Sequence, residues 1–152
     1  MRSILSFLVV LLACASFSFS DSHAGRPTGG GGGGGKGAIQ LVPENVFPGP
    51  GEFGAAASTT ISYGRNSISF YMTIQQLSGY ITTIGIYRGG AGEIGPMVVR
   101  LCPSPIGVNQ LNGTIPVDDS ALLRDISRNP SNYFVQINTN LYPGGAVRAQ
   151  LR

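Results

Sequence analysis

The sequence is poor in the residues on which much of enzyme chemistry depends. It has one histidine, two cysteines and no tryptophan. The histidine, His23, lies in a polar stretch ahead of a glycine run, so the segment able to fold holds none. That excludes a Ser-His-Asp triad and a histidine-rich copper or zinc site for this chain alone. Cys14 sits in an apolar leader, and once the leader is removed Cys102 has no second cysteine to pair with inside the chain. Between Leu101 and Pro103, Cys102 reads as a small buried hydrophobe. A domain without bridges must be held by its core, and residues 38–152 are long enough to supply one.

Charge is scarce as well, at 11% of residues. The only lysine is Lys36 and the arginines are scattered, so the net charge of +3 forms no basic stripe. Nucleic-acid recognition needs such a stripe and is not expected. Weak attraction to an acidic polysaccharide is compatible with this charge. Glu44, Glu52 and Glu93 fall in separate loops without the spaced acidic pattern of a calcium loop. Asp118 and Asp119 are adjacent, so their side chains diverge, and helix capping explains both better than a carboxylate pair for acid-base work. The loop RGGAGEIG lacks the GK[ST] ending of a phosphate cradle. No catalytic residue, metal ligand or cofactor site emerges, and the chain is expected not to be an enzyme.

Long apolar runs are missing too, apart from Ile4 to Ala15, which is shorter than the roughly 20 residues needed to span a bilayer. Arg2 precedes that run and small residues follow it, the order of a secretory signal. Residues 1–20 are therefore expected to be a signal peptide, cleaved after Ala15 or Ser20. A lipoprotein box ending at Cys14 is a weaker reading, because Leu12 is unusual there. Secretion to the extracellular space follows, the apoplast or cell wall if the source is a plant, with no transmembrane segment after cleavage. Residues 21–37 contain an unbroken glycine run from Gly29 to Gly35 and are expected to be a disordered linker.

What is present, over residues 38–152, is period-2 alternation between turn signals. Ile68, Phe70, Met72 and Ile74 share one face of a strand, with Ser69, Tyr71, Thr73 and Gln75 on the other. ITTIGIYR and PMVVRLC read as further strands, and Tyr63-Gly64-Arg65-Asn66 as the turn of a hairpin. One short helix is expected where Asp118, Asp119 and Ser120 can cap it, with Leu122, Leu123 and Ile126 as its apolar stripe and Pro130 as its stop. The chain closes with NYFVQINTNLYPGGAVRAQL, two strands joined by Tyr-Pro-Gly-Gly, in which Pro143 presets the turn and Gly144 or Gly145 supplies a positive φ. The fold class is all-β, an antiparallel β-sandwich or barrel with one short helix before the C-terminal hairpin. Asn112-Gly113-Thr114 is an N-glycosylation sequon, expected in an exposed loop beside Pro116.

Two blocks carry a family resemblance. ITTIGIYRGGAGEIGPMVVRL resembles the central block of the CHRD (chordin-type) domain, through Gly92, Gly95, Pro96 and Val98. NPSNYFVQINTNLYPGGAVRAQL resembles its closing block, through Asn132, Tyr133, Val135, Thr139, Pro143, Gly145, Arg148, Gln150 and Leu151. The resemblance implies an immunoglobulin-like sandwich, found as repeats in chordin, which binds growth factors, and as a lone secreted domain in bacteria and plants. Relatives commonly carry His-x-His in the central block and a His in the closing block. Gly85, Tyr87 and Asn138 stand there instead, and neither Gly nor Tyr replaces an imidazole ligand.

The function that fits is a secreted, non-catalytic binding module for an extracellular protein or matrix polysaccharide. The alternative is a structural wall or matrix protein attached through its glycine-rich segment. Tyr87, Arg88, Asn138 and Arg148 form the candidate binding surface. A mid-strand arginine such as Arg148 more often covers the sheet with its stem or pairs with a carboxylate, and Tyr80, Tyr87, Tyr133 and Tyr142 divide between packing and a sugar- or peptide-binding surface.

Overall fold

The computed structural model describes residues 37–102 and 107–152. The expected signal peptide and most of the glycine-rich linker lie outside the described residues. Eight strands build two antiparallel sheets of four. In chain order they are β1 (Ile39–Leu41), β2 (Ala56–Tyr63), β3 (Ser67–Gln75), β4 (Ile81–Arg88), β5 (Met97–Cys102), β6 (Gln110–Pro116), β7 (Tyr133–Thr139) and β8 (Val147–Gln150). The first sheet runs β1-β2-β3-β6 and the second β5-β4-β7-β8. Among the described residues the sheets face each other without closing into a barrel, so the fold is a β-sandwich. One seam is nevertheless stitched: Val42, just past β1, exchanges two backbone hydrogen bonds of 3.1 Å with Arg148 on β8.

The alternation read from the sequence decides which side chains meet between the sheets. Ile68, Phe70, Met72 and Ile74 of β3 are buried, as are Ile84 and Ile86 of β4 and Val135 and Ile137 of β7. Cys102 is buried with them, opposite Ile84. Their outward neighbours on the first sheet stay polar, as expected for a sheet with one wet face.

The single α-helix, α1 (Ser120–Arg128), lies where the capping residues placed it. Asp119 is its N-cap and accepts from the backbone N–H groups of Ala121 and Leu122 at 3.0 and 2.9 Å. Leu123 and Ile126 are its buried stripe, and a 3-10 turn over Pro130–Asn132 ends it.

One expectation changes and one open choice is resolved. Asn112 lies in strand β6, not in a loop, paired with Tyr71 at the edge of the first sheet. Gly113 and Pro116 favour a turn locally, but the Leu111 and Ile115 side chains turn inward and pairing with β3 overrides that preference. In the closing hairpin it is Gly145, with φ of 128°, that takes the conformation closed to other residues.

The sandwich has two ends. The β2–β3 turn, α1, the loop after β4 and residues Ala38 and Arg152 share one, where Arg152 donates to the Ala38 carbonyl. The opposite end carries the turn before β2, the β3–β4 connection and the β7–β8 turn. Core truncation should therefore cost far more than loss of the helix cap. Ile86→Ala is expected to lower unfolding free energy by about 2 to 5 kcal/mol, and Asp119→Ala by about 1 kcal/mol, both read from denaturant midpoints.

Candidate functional site

The four nominated surface residues do not form one patch. Register places Tyr87 opposite Phe134, Asn138 opposite Thr83 and Arg148 opposite Gln136. Tyr87, Asn138 and Arg148 thus share the outer face of the second sheet. Arg88 turns to the other side, where its guanidinium lies 5.4 Å from the Tyr133 ring centroid and 3.9 Å from an Asp125 carboxylate oxygen.

On the outer face the side chains form a layered stack. Tyr87 lies flat on Phe134, with ring centroids 5.1 Å apart and planes 5° from parallel. The Arg148 guanidinium lies over the same Phe134 ring, 3.4 Å from its centroid. Because β7 runs between β4 and β8, Phe134 is the middle layer. Burial pushes the Tyr87 phenol pKa up, opposed by its hydrogen bond with Asn138 and by the Arg100 charge.

Arg148 is only 1% exposed. Its Nη1 donates to the Glu93 carbonyl at 2.7 Å and its Nη2 to the Gly90 carbonyl at 2.8 Å. Gln150 continues the row, with Nε2 donating to the carbonyls of Gly89 at 2.6 Å and Ser131 at 2.8 Å. Burial lowers the Arg148 pKa, opposed by the Glu93 charge; a guanidinium nonetheless stays a cation. Its fork is spent on main-chain oxygens of the loop at 89–95. That loop is also tight, since a Cβ on Gly95 would overlap the Arg88 carbonyl oxygen. The central block therefore supplies the carbonyls and the closing block supplies the Arg and Gln that hold them. The same two blocks lie within residues 38–151, which match the model of the CHRD domain family.

The chain belongs to the CHRD domain family. Comparison with curated proteins and with solved structures gave no match. CHRD domains are of extracellular type, and no helix among the described residues is long and apolar enough to cross a membrane. In this CHRD domain, Gly85 is covered by the Met97 side chain, and no three His, Cys, Asp or Glu among the described residues gather closely enough to hold a metal ion. Above Arg148 and Gln150, residues Glu44, Phe47, Ala91 and Gly92 enclose a cleft of about 220 Å³. Asn112 is exposed on β6, and its sequon partner Thr114 shares a 2.8 Å hydrogen bond with Ser69.

Sequence reasoning did not single out the end opposite α1. Phe53 is 97% exposed there, Leu141 59% and Tyr80 51%. Their three turns are tied together. The Ser78 N–H donates to Glu52, the Tyr80 N–H to the Asn140 side chain, and the Asn140 N–H to the Tyr80 carbonyl. The available signals were Tyr80, one of the four tyrosines weighed as a sugar- or peptide-binding surface, and Phe53, a large apolar residue inside a loop of Gly and Pro.

Two outcomes test this geometry. Arg148→Ala should lower stability by roughly 1 to 3 kcal/mol, the cost of part-buried acceptors left without donors. Arg148→Lys should recover little of it, because an ammonium cannot reach both carbonyls as a planar fork does. The second outcome concerns Tyr133, whose phenol is buried and donates to Asp125. Burial first, and then that bond, push its pKa up to about 12. A free phenol titrates near about 10, so the stabilisation is complete below about pH 10 and disappears as pH rises through about 12. The thermal midpoint should fall more steeply over that window in the native chain than in Tyr133→Phe.

Proposed function

We propose that this CHRD domain is a secreted, non-catalytic binding module that docks an extracellular protein through the end carrying Phe53, Tyr80 and Leu141. The observation that carries this reading is Phe53, which is 97% exposed on a turn held in place by the buried Glu52 beside it. An aromatic ring held in water on an ordered turn contributes nothing to the core. Large aromatic anchors of this kind dominate binding energy at protein interfaces. Leu141 and Tyr80 extend the apolar surface across two neighbouring turns, whose mutual hydrogen bonds pre-organise it.

The placement of the glycine-rich segment supports the same reading. It joins the body at Ala38, at the α1 end, so the apolar turns lie at the far end from the point of attachment. A body tethered in that way presents the Phe53 end outward.

The test is capture from an extracellular extract separated into protein and polysaccharide fractions. The full chain should retain a protein in a salt-resistant manner. Phe53→Asp and Leu141→Asp should each weaken retention by about tenfold or more, equivalent to about 1.4 kcal/mol. Removal of residues 21–37 should leave retention intact. Unchanged retention in both Asp variants, or its loss on removing 21–37, would overturn the proposal in favour of attachment through the glycine-rich segment.

A further inference from the structure

At the α1 end, a separate cleft of about 510 Å³ opens between the β2–β3 turn and the helix. Tyr63, Arg65 and Asn66 line it from the turn, and Ser120, Leu123, Arg124 and Ser127 from α1. We infer that this cleft holds a carboxylate-bearing sugar residue of an acidic polysaccharide, with Arg65 and Arg124 as the anion-binding forks.

Charge is the first argument. Two arginines, Arg65 and Arg124, line one concavity in a chain where charge is scarce. Among the described residues, the one ion pair is Arg88 with Asp125, so neither Arg65 nor Arg124 is neutralised by a carboxylate at contact distance. The carboxylates nearest in the chain are engaged elsewhere. Asp119 is spent on the first helical N–H groups. Asp125 accepts from Tyr133 and Asn129, bonds that hold its pKa below the usual carboxylate range. Asp118 precedes the helix, outside the residues that line the cleft. A guanidinium presents parallel donors matched to a carboxylate.

The walls supply the second argument. A pyranose has an apolar face and a rim of hydroxyls, and the cleft offers groups for both. Tyr63 provides a half-buried aromatic face beside Leu123, which is buried. Burial raises the Tyr63 phenol pKa, so it remains a neutral donor. Ser120, Ser127 and Asn66 are additional polar partners on the rim. The turn is held to the helix approach by the Val117 N–H, which donates to the Asn66 carbonyl at 2.9 Å. The two walls thus keep a fixed spacing. The volume lies within the roughly 300 to 1,000 Å³ typical of ligand sites. An acidic peptide could also satisfy the charges, but it would make little use of a hydroxyl-bonding rim beside an aromatic face.

This site is independent of the Phe53 end, and calorimetry on the full chain tests it alone. The probes are a uronic acid trisaccharide, its fully methyl-esterified form and a glutamate peptide of equal charge. The acid form should bind, the ester at least about tenfold more weakly, because esterification removes charge-assisted hydrogen bonds. Arg65→Ala and Arg124→Ala should each weaken binding by a similar factor, and added salt should weaken it further. Arg100→Ala, at an exposed arginine on the other sheet, and Phe53→Asp should leave it unchanged. Equal binding of acid and ester would overturn the proposal. So would an equal loss in Arg100→Ala, or tighter binding of the glutamate peptide through the same arginines, which would make this an acidic-peptide site.

Discussion

The buried guanidinium of Arg148 is the interaction on which the second sheet depends. Burying a cation is costly unless its hydrogen-bonding capacity is met, and here it is met by two loop carbonyls and the face of Phe134. The consequence runs in both directions along the chain. The loop at 89–95, which has no regular structure of its own, is fixed by a strand more than fifty positions later. The backbone of the same residue forms the bridge to Val42, so Arg148 joins three segments: the β1 extension, the closing strand and the glycine-rich loop.

This changes the meaning of the family motif. Arg148 and Gln150 in the closing block, and Gly95 with its neighbours in the central block, are parts of one brace. Their side chains hold carbonyls of Gly89, Gly90, Glu93 and Ser131. The most recognisable residues of the chain thus describe how the domain is built. The two contact surfaces proposed above, the Phe53 turns and the cleft between Arg65 and Arg124, lie outside the motif, and one fold can carry different surfaces.

Most of the fold was legible in the sequence because it rests on local rules. Alternation in β3 placed Ile68, Phe70, Met72 and Ile74 in the core, and Asp119 marked the helix start. Strand β6 was not legible, because Asn112, Gly113 and Pro116 are turn formers whose pairing with β3 is set by a partner some forty residues away. Phe134 and Gln136 gave no local sign of their burial. They are outward on the sheet, yet buried, because loops fold back over that face. The surface residues were legible only in part. Tyr87 and Asn138 do meet, but an arginine in a strand gives no sign of whether water or a carbonyl will receive it. Phe53, Tyr80 and Leu141 come from three distant turns, and no local pattern links them.

The bond from Arg152 to the Ala38 carbonyl brings the two extremities of the folded body together. In connectivity the domain is therefore close to a ring with one small opening at the α1 end. The order in which the strands occur along the chain is then partly arbitrary, since joining the extremities and opening a surface turn elsewhere would preserve the same pairings. A body of this kind could be set into an exposed loop of another protein without prising its host apart.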